Sequence, residues 1–287
     1  MPQIKKISAF YHLSSGIYNS KTITFFKTAA FSFLFLLCFL FYPGKSHSQF
    51  STFSQFKTAI SNDNYDIDLS EYSNSSHPLV FNGSIYEYGA IGNNGILRGL
   101  ADSDYALLEG NSSHIDFRGW GQRKKTSFFG NIIFNDFGSM EFSGIYAYIA
   151  DLIFSNSSIT FSNNETRMDS GGAISSEGNS YFEFAISSVH FLNNTASEGG
   201  ALYAQDNSSF VFENSEVKFT SNTASQNGGA IFSGQSKFIF AISSVHFTSN
   251  SANNGGGAIY AEQSSLFSFS NSSLNFTSNT ANGNGGA

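Results

Sequence analysis

Carboxylates are the first residues to test for chemistry. The acids Glu183, Glu198, Asp206, Glu213, Glu216 and Glu262 lie in the second half of the chain. Two of them held together could act as general acid and base on a glycosidic bond. Such a pair needs acids that recur at one structural position, and these do not. The positions equivalent to Glu183 carry Val211, Ile239 and Ser268, and the remaining acids scatter over turns and outward positions. No catalytic residue is therefore assigned. His190 and His246 sit in near-identical stretches, FAISSVHFLNN from Phe184 and FAISSVHFTSN from Phe240. They alternate with Val189/Phe191 and Val245/Phe247, so they point outward, and Lys218 holds the equivalent place between them. Two histidines roughly 10 Å apart cannot share a metal. They are read as exposed strand residues, and no metal or cofactor is expected.

Two further clusters are open to the same test. Asn62-Asp-Asn-Tyr-Asp-Ile-Asp68 has the acid density of a calcium loop, but Ile67 stands where glycine is required and Ser73 where the bidentate glutamate belongs. It reads as a polar turn leading into a strand, and Asp102 and Asp104 read as loop residues. Arg118-Gly-Trp120-Gly-Gln-Arg123-Lys124-Lys125 is the basic cluster outside the amino-terminal leader and holds the single Trp. Trp120, Arg123, Lys124 and Lys125 form a candidate patch for a sulfated glycan or another anionic surface, against the plainer reading of a solvated loop. Asn-x-Ser triplets at Asn74, Asn111, Asn207 and Asn271 arise by chance in a chain this rich in Asn and Ser.

The elements that must position these residues repeat. Phe161-Ser-Asn-Asn164 precedes Gly171-Gly172-Ala-Ile, and Phe191-Leu-Asn-Asn194 precedes Gly199-Gly200-Ala-Leu. Phe219-Thr-Ser-Asn222 precedes Gly228-Gly229-Ala-Ile, and Phe247-Thr-Ser-Asn250 precedes Gly256-Gly257-Ala-Ile. Phe276-Thr-Ser-Asn279 precedes Gly285-Gly286-Ala287. The phenylalanines lie 30, 28, 28 and 29 residues apart, a period that marks a solenoid. Between the motifs run alternating segments such as Phe210-Val-Phe212, Phe238-Ile-Phe240 and Phe267-Ser-Phe269, divided by Ser, Asn and Gly. Three short strands and three turns fit one coil. The fold class is all-β: a right-handed parallel β-helix, each coil rising by about 4.8 Å. Equivalent Phe residues then stack inside, equivalent Asn residues hydrogen-bond coil to coil, and Gly-Gly permits a turn barred to other residues.

Five alternating FxxN and GGA[I/L] motifs in register resemble the passenger domains of the chlamydial polymorphic membrane proteins, strongly over residues 161–287. The resemblance implies an autotransporter-type surface adhesin, in which these motifs are linked to adhesion. It also implies a carboxy-terminal outer-membrane barrel, for which this sequence shows no alternating ~10-residue segments. The chain stops in mid-repeat and is read as a truncated passenger. Members of that family often carry cross-linked cysteines, whereas Cys38 is the single cysteine here and lies in the leader.

Composition agrees with a repeat protein. There are 33 Phe, three Pro and only 12% charged residues, too aromatic for a disordered chain. Residues 1–48 hold five Lys and no acid, so 9 basic and 21 acidic groups remain beyond them, a balance of −12. Nucleic acid is not expected as a partner. Residues 1–48 read as a signal peptide: Lys5, Lys6, Lys21 and Lys27 precede an apolar run from Ala29 to Tyr42, and cleavage is expected between Ser48 and Gln49. Phe53-x-x-Phe56-x-x-Ala59-Ile60 has helical spacing and is read as a short capping helix. Residues 49–127 then form the cap and irregular coils, and residues 128–287 the regular ones. Leu97-Arg-Gly99 and Phe117-Arg-Gly119, 20 residues apart, suggest shorter early coils, and Phe128-Phe-Gly-Asn131 a degenerate FxxN.

The functional expectation is an exported, surface-exposed or secreted adhesin-like passenger without catalysis, binding a host cell-surface protein or glycan. The outward Lys218, Lys237 and Glu262 are its contact candidates. The alternatives are a truncated structural fragment that self-associates through its open last coil, and a β-helical polysaccharide-degrading enzyme.

Overall fold

Alternating strands with polar corners close into coils because each strand can bury one side only against the next turn of the same chain. The computed structural model describes residues 52–60, 65–74, 76–81, 85–89, 94–100, 104–119, 124–138 and 143–286, which belong to one compact unit. The expected leader and its cleavage point at Ser48 and Gln49, the Asn62–Asn64 start of the candidate calcium loop, Asp102, Trp120 and Arg123 lie outside the described residues. Among the described residues every pairing between the strands is parallel, in continuous register except for one shift between Phe129 and Gly130, forming a β-solenoid of about seven coils.

One regular coil shows the plan. Tyr181–Ala185 and Ser188–Leu192 are two five-residue strands, Thr195–Ala196 is a two-residue strand, and Leu202–Ala204 closes the coil. A coil therefore has four strand segments, not the three expected from sequence. The fourth is too short to leave an alternating trace: Thr195–Ala196 pairs with Thr223–Ala224, which pairs with Ser251–Ala252 and then Thr280–Ala281. The first two segments of every coil belong to one 14-stranded sheet, because in earlier coils they run together as Lys124–Asn135 and Ala150–Ser162.

Three aromatic columns fill the interior. Phe128, Phe154, Phe184, Phe212, Phe240 and Phe269 stack with ring centroids 4.4–5.0 Å apart. Phe134, Phe161, Phe191, Phe219, Phe247 and Phe276 form a second column at 4.8–5.0 Å. Phe182, Phe210, Phe238 and Phe267 form the third. Within a coil the first two columns meet edge to face, as Phe184 does on Phe191 at 6.4 Å and 78°. Stacking along the axis and T-shaped contact across it are the two arrangements the ring quadrupole favours. Each ring removed from water contributes about 1.5–3 kcal/mol.

The Gly-Gly corner is dictated by crowding. Gly199 has φ +58°, and a Cβ at Gly200 would lie 2.6 Å from the backbone of Thr223 and against the carbonyl of Gly229. No other residue fits that corner without moving the next coil. Beside it Tyr203, Phe232 and Tyr260 stack on the outer side of the Leu202–Ala204 sheet, at 5.0 and 5.6 Å.

At the amino-terminal end, helix α1 (Phe53–Ile60) begins with a capping box: Thr52 N–H donates to Gln55 Oε1 at 2.6 Å and Gln55 N–H to Thr52 Oγ1 at 3.4 Å. It buries Phe56 and Ile60, and Phe53 meets Phe81 at 4.7 Å. Two expectations for the early chain are corrected here. Leu97 lies between Ile67 and Phe128 in register, about thirty residues from each, so these coils are not shorter. Phe117 belongs to a different sheet, in line with Ala147, which is why its 20-residue spacing from Leu97 has no structural meaning. Phe128 aligns with Phe154, not with the FxxN phenylalanines. Phe134 aligns with Phe161, and Phe137 stands where the asparagine would be, its N–H donating to Asn164 Oδ1 at 2.9 Å.

Candidate functional site

The motif residues face inward. Phe191, Phe219 and Phe247 are fully buried, and so are Asn194, Asn222 and Asn250. Asn194 donates through Nδ2 to Asn222 Oδ1 at 2.9 Å and to the Phe161 carbonyl one coil back at 3.1 Å. The same carboxamide oxygen of Asn222 accepts the backbone N–H of Asn194 at 3.0 Å. Asn164, Asn250 and Asn279 continue the ladder. An asparagine is the residue that can accept two bonds and donate two at one corner.

A second ladder lies at the preceding corner, and sequence inspection missed it. Phe154, Phe184, Phe212, Phe240 and Phe269 are each followed three residues later by Ser157, Ser187, Ser215, Ser243 and Ser272. Ser215 Oγ donates to the Phe184 carbonyl at 3.0 Å and accepts the Ser187 N–H at 3.1 Å. FxxS is thus the counterpart of FxxN, and abundant serine elsewhere hid its period. At both corners the residue before the Ser or Asn is left-handed. Asn156, Asn214 and Asn271 occupy that site in alternate coils, but Ile186 (φ +51°) and Ile242 (φ +53°) occupy it in the others. Both isoleucines are 59% exposed.

Outward positions carry the chemistry that varies. Thr160, His190, Lys218, His246 and Asn275 form one column on the outer face of the second strand series. His190 Nε2 lies 3.0 Å from Thr220 Oγ1, and His246 Nε2 lies 3.0 Å from Ser244 Oγ. Burial holds the His190 imidazole below the usual histidine range, and Lys218 adds to the effect. Lys218 Nζ meets Glu216 at 2.7 Å, which lowers the Glu216 carboxyl. Glu183 stands alone in its column, flanked in register by Ile153 and Val211, as expected. Tyr181 donates to it at 3.1 Å, and burial pushes the Tyr181 phenol up to about 12. Lys237 is exposed and Glu262 half-buried.

A polar cluster that sequence inspection did not single out occupies the outer side of the sheet containing Ile145–Tyr148. Asp116 and Tyr146 pair in register there, and Arg118 reaches both: its Nε lies 3.0 Å from an Asp116 carboxylate oxygen and its guanidinium 4.8 Å over the Tyr146 ring. Tyr146 donates to Glu177 Oε2 at 3.0 Å. Burial raises the carboxyls of Asp116, Glu177 and Asp169 and the phenols of Tyr146 and Tyr203, and lowers His114 to about 4. Raised proton affinity at Asp116 and Glu177, the two carboxyls bonded into this cluster, invites an acid–base reading. Asp116 is wholly covered, however, and Arg118 is bound to it. It has no approach to a substrate; its ion pair with Arg118 lies within one strand, two residues apart, and the guanidinium over the Tyr146 ring is what ties this strand to the next coil. The cluster's members come from coils without shared motifs, so no period announced them.

The remaining candidates fall apart. Asp66 is held by Arg98 in a two-point pair at 2.8 and 2.9 Å, and Asp68 caps the 3-10 turn Leu69–Glu71 through Ser70 N–H. Two of the three carboxylates of the would-be calcium loop, Asp66 and Asp68, are thereby engaged, and Asp63 lies outside the described residues. Asp104 accepts the Tyr105 N–H at 2.9 Å, as a loop residue would. Of the basic patch, Lys124 and Lys125 open the strand Lys124–Asn135, and Lys125 is exposed.

Four stretches, 158–177, 188–205, 216–234 and 244–262, match the family model of the Chlamydia polymorphic membrane protein (Chlamydia_PMP) repeat. The chain carries polymorphic membrane protein repeats. Each match begins in a second strand, runs through FxxN and Gly-Gly, and ends in the fourth strand. The polymorphic membrane protein repeat is therefore most of one coil here, lacking mainly the first strand. No curated protein and no solved structure matches the chain.

Proposed function

We propose that this chain is the adhesive face of a polymorphic membrane protein: an exported passenger, displayed at the bacterial surface or secreted, that binds a host protein or glycan along its flank without turnover. The observation that carries this reading is the division of labour within each coil. Residues that recur, the Phe, Asn, Ser and Gly-Gly of the corners, are interior and stack on or bond to neighbouring coils and their own backbone. Residues that change from coil to coil, such as Lys218, Lys237 and Glu262, sit on the outer flank. A rigid ladder with interchangeable outward positions can alter its contacts without disturbing its core. The FxxN and GGA motifs then serve adhesion indirectly, by holding the coils.

Purified residues 49–287 coupled to beads and offered to cultured host cells test this. Combined Lys218→Thr, Lys237→Ser and Glu262→Gly substitutions copy residues found in the same columns of other coils (Thr160, Ser209, Gly234). They should weaken attachment while leaving the unfolding midpoint unchanged. Unchanged attachment by that variant refutes the flank as the contact surface. Release of reducing ends from host glycans turns the reading to hydrolysis, and light scattering showing oligomers with no cell binding turns it to self-association through the last coil.

A further inference from the structure

We propose that the column His190–Lys218–His246 is a docking strip for a sulfated polysaccharide that engages as pH falls below neutrality. The proposal rests on the adhesive reading above and names the partner class for one surface of it. The three residues are consecutive in register, so their Cα atoms span two strand spacings, roughly 9.6 Å. All three alternate with buried neighbours (Val189 and Phe191, Val217 and Phe219, Val245 and Phe247) and so share the outer face.

Charge counting on that face selects the ligand. The flanking column on one side is Ser188, Glu216 and Ser244, and on the other Leu192, Thr220 and Thr248. Glu216 is the one acid among them. Its carboxylate meets Lys218 at 2.7 Å and feels the charges of His246 and His190 as well. With both imidazoles neutral, Lys218 and Glu216 cancel. With both charged, three cations share a single carboxylate, and the strip gains two positive charges on an otherwise acidic chain. Anionic groups spaced along a linear polymer can supply the missing counter-charge. The hydroxyls of Thr220 and Ser244, each 3.0 Å from an imidazole, add donors suited to sulfate oxygens and sugar hydroxyls. The strip carries no Phe, Tyr or Trp on its face, and the chain around it is acidic, with 9 basic against 21 acidic groups beyond residue 48, so a short sulfated segment of glycan fits better than an extended nucleic acid strand.

Sign follows from the imidazoles. Burial and Lys218 hold His190 below the ordinary histidine range, so the strip charges only as pH drops, and a bound sulfate draws the protons on. Each charged imidazole should tighten binding about two- to fivefold.

Fluorescent heparin binding to purified residues 49–287, read at pH 7.5 and 5.5 and low salt, is the test. Binding should strengthen at pH 5.5. His190→Thr with His246→Asn should abolish that gain, and the same column already carries Thr160 and Asn275, so the coil tolerates both. Glu216→Gln should strengthen binding at both pH values, which a merely structural role would not produce. Three results overturn the proposal: no heparin binding at pH 5.5, a pH gain that survives the double substitution, or a gain lost on neutralising Arg123, Lys124 and Lys125 instead. Equal pH-dependent binding of single-stranded DNA overturns the assignment to a glycan. Loss of cell attachment with heparin binding intact counts against the adhesive reading and leaves the strip standing.

Discussion

Asn194 and Asn222 share two hydrogen bonds through one oxygen: Asn222 Oδ1 accepts the Asn194 side-chain N–H at 2.9 Å and its backbone N–H at 3.0 Å. Asn222 in turn donates to Asn250 Oδ1 and to the Phe191 carbonyl. Both residues are fully buried, so no water replaces a lost partner. Asn222→Ala strands two donors on Asn194 and takes a donor from the Phe191 carbonyl, while Asn250 Oδ1 keeps the backbone N–H of residue 222 and loses only its side-chain donor. A cost of about 3–5 kcal/mol is expected, since each orphaned buried group costs roughly 1–3 kcal/mol. Urea unfolding with an unchanged m-value measures it, and a loss below about 1 kcal/mol would show that the ladder is not a stabilising element.

The serine ladder makes a graded comparison. Ser215 donates to the Phe184 and Glu213 carbonyls and accepts the Ser187 N–H. Ser215→Ala removes one acceptor from a single buried donor, where Asn222→Ala removes one from two. The expected loss is about 1–2 kcal/mol. Equal costs for the two substitutions in the same urea experiment would contradict the count of bonds.

How far the sequence discloses this molecule depends on whether a residue repeats. Phe, FxxN and Gly-Gly recur at a near-constant spacing, so the solenoid, its parallel register and its asparagine ladder are legible from that spacing alone. The strand at Thr195–Ala196 is two residues long, and a period-two pattern needs more than that to appear. FxxS is hidden by serine abundance, and Phe128 mimics an FxxN that Phe134 and Phe137 occupy. The Asp116–Arg118–Tyr146–Glu177 cluster is assembled across unlike coils, so only folding brings it together. The outward direction of His190 and His246 is legible from alternation, whereas their shared counter-ion Glu216 emerges only from the register.

Left-handed isoleucine is an unusual choice that predicts a gain. Ile186 and Ile242 have φ +51° and +53°, where a β-branched side chain meets its own backbone. Asn214, at φ +48°, shows what the corner accepts one coil away. Ile242→Asn should raise stability by about 1 kcal/mol, and Ile186→Asn should add a similar increment because the sites are two coils apart. The midpoint of thermal unfolding reports both. A decrease would mean that the exposed isoleucines hold the corner through packing that outweighs their backbone strain.

Acid sensitivity should centre on His114. It is 3% exposed, and burial with the nearby Arg118 charge lowers it from 6.5 to about 4. The unfolded chain therefore takes up this proton near pH 6.5 while the folded chain resists until about pH 4, so stability falls as pH drops through that window. Asp116, Asp169 and Glu177 act in the opposite sense. Their carboxyls are raised by burial, so the folded chain accepts protons first and gains stability as pH falls towards the ordinary carboxylate range. The histidine effect is cleanest above that range, between about pH 7 and 5.5, where it amounts to about 1 kcal/mol. His190 contributes with the same sign, so the measurement is a difference of slopes. His114→Asn lowers stability at every pH by disturbing a packed site, but it should flatten the pH dependence across that interval relative to the parent chain. Parallel curves for the two proteins would mean that His114 is already charged in the fold and that Arg118 and Asp116 are arranged around a cation.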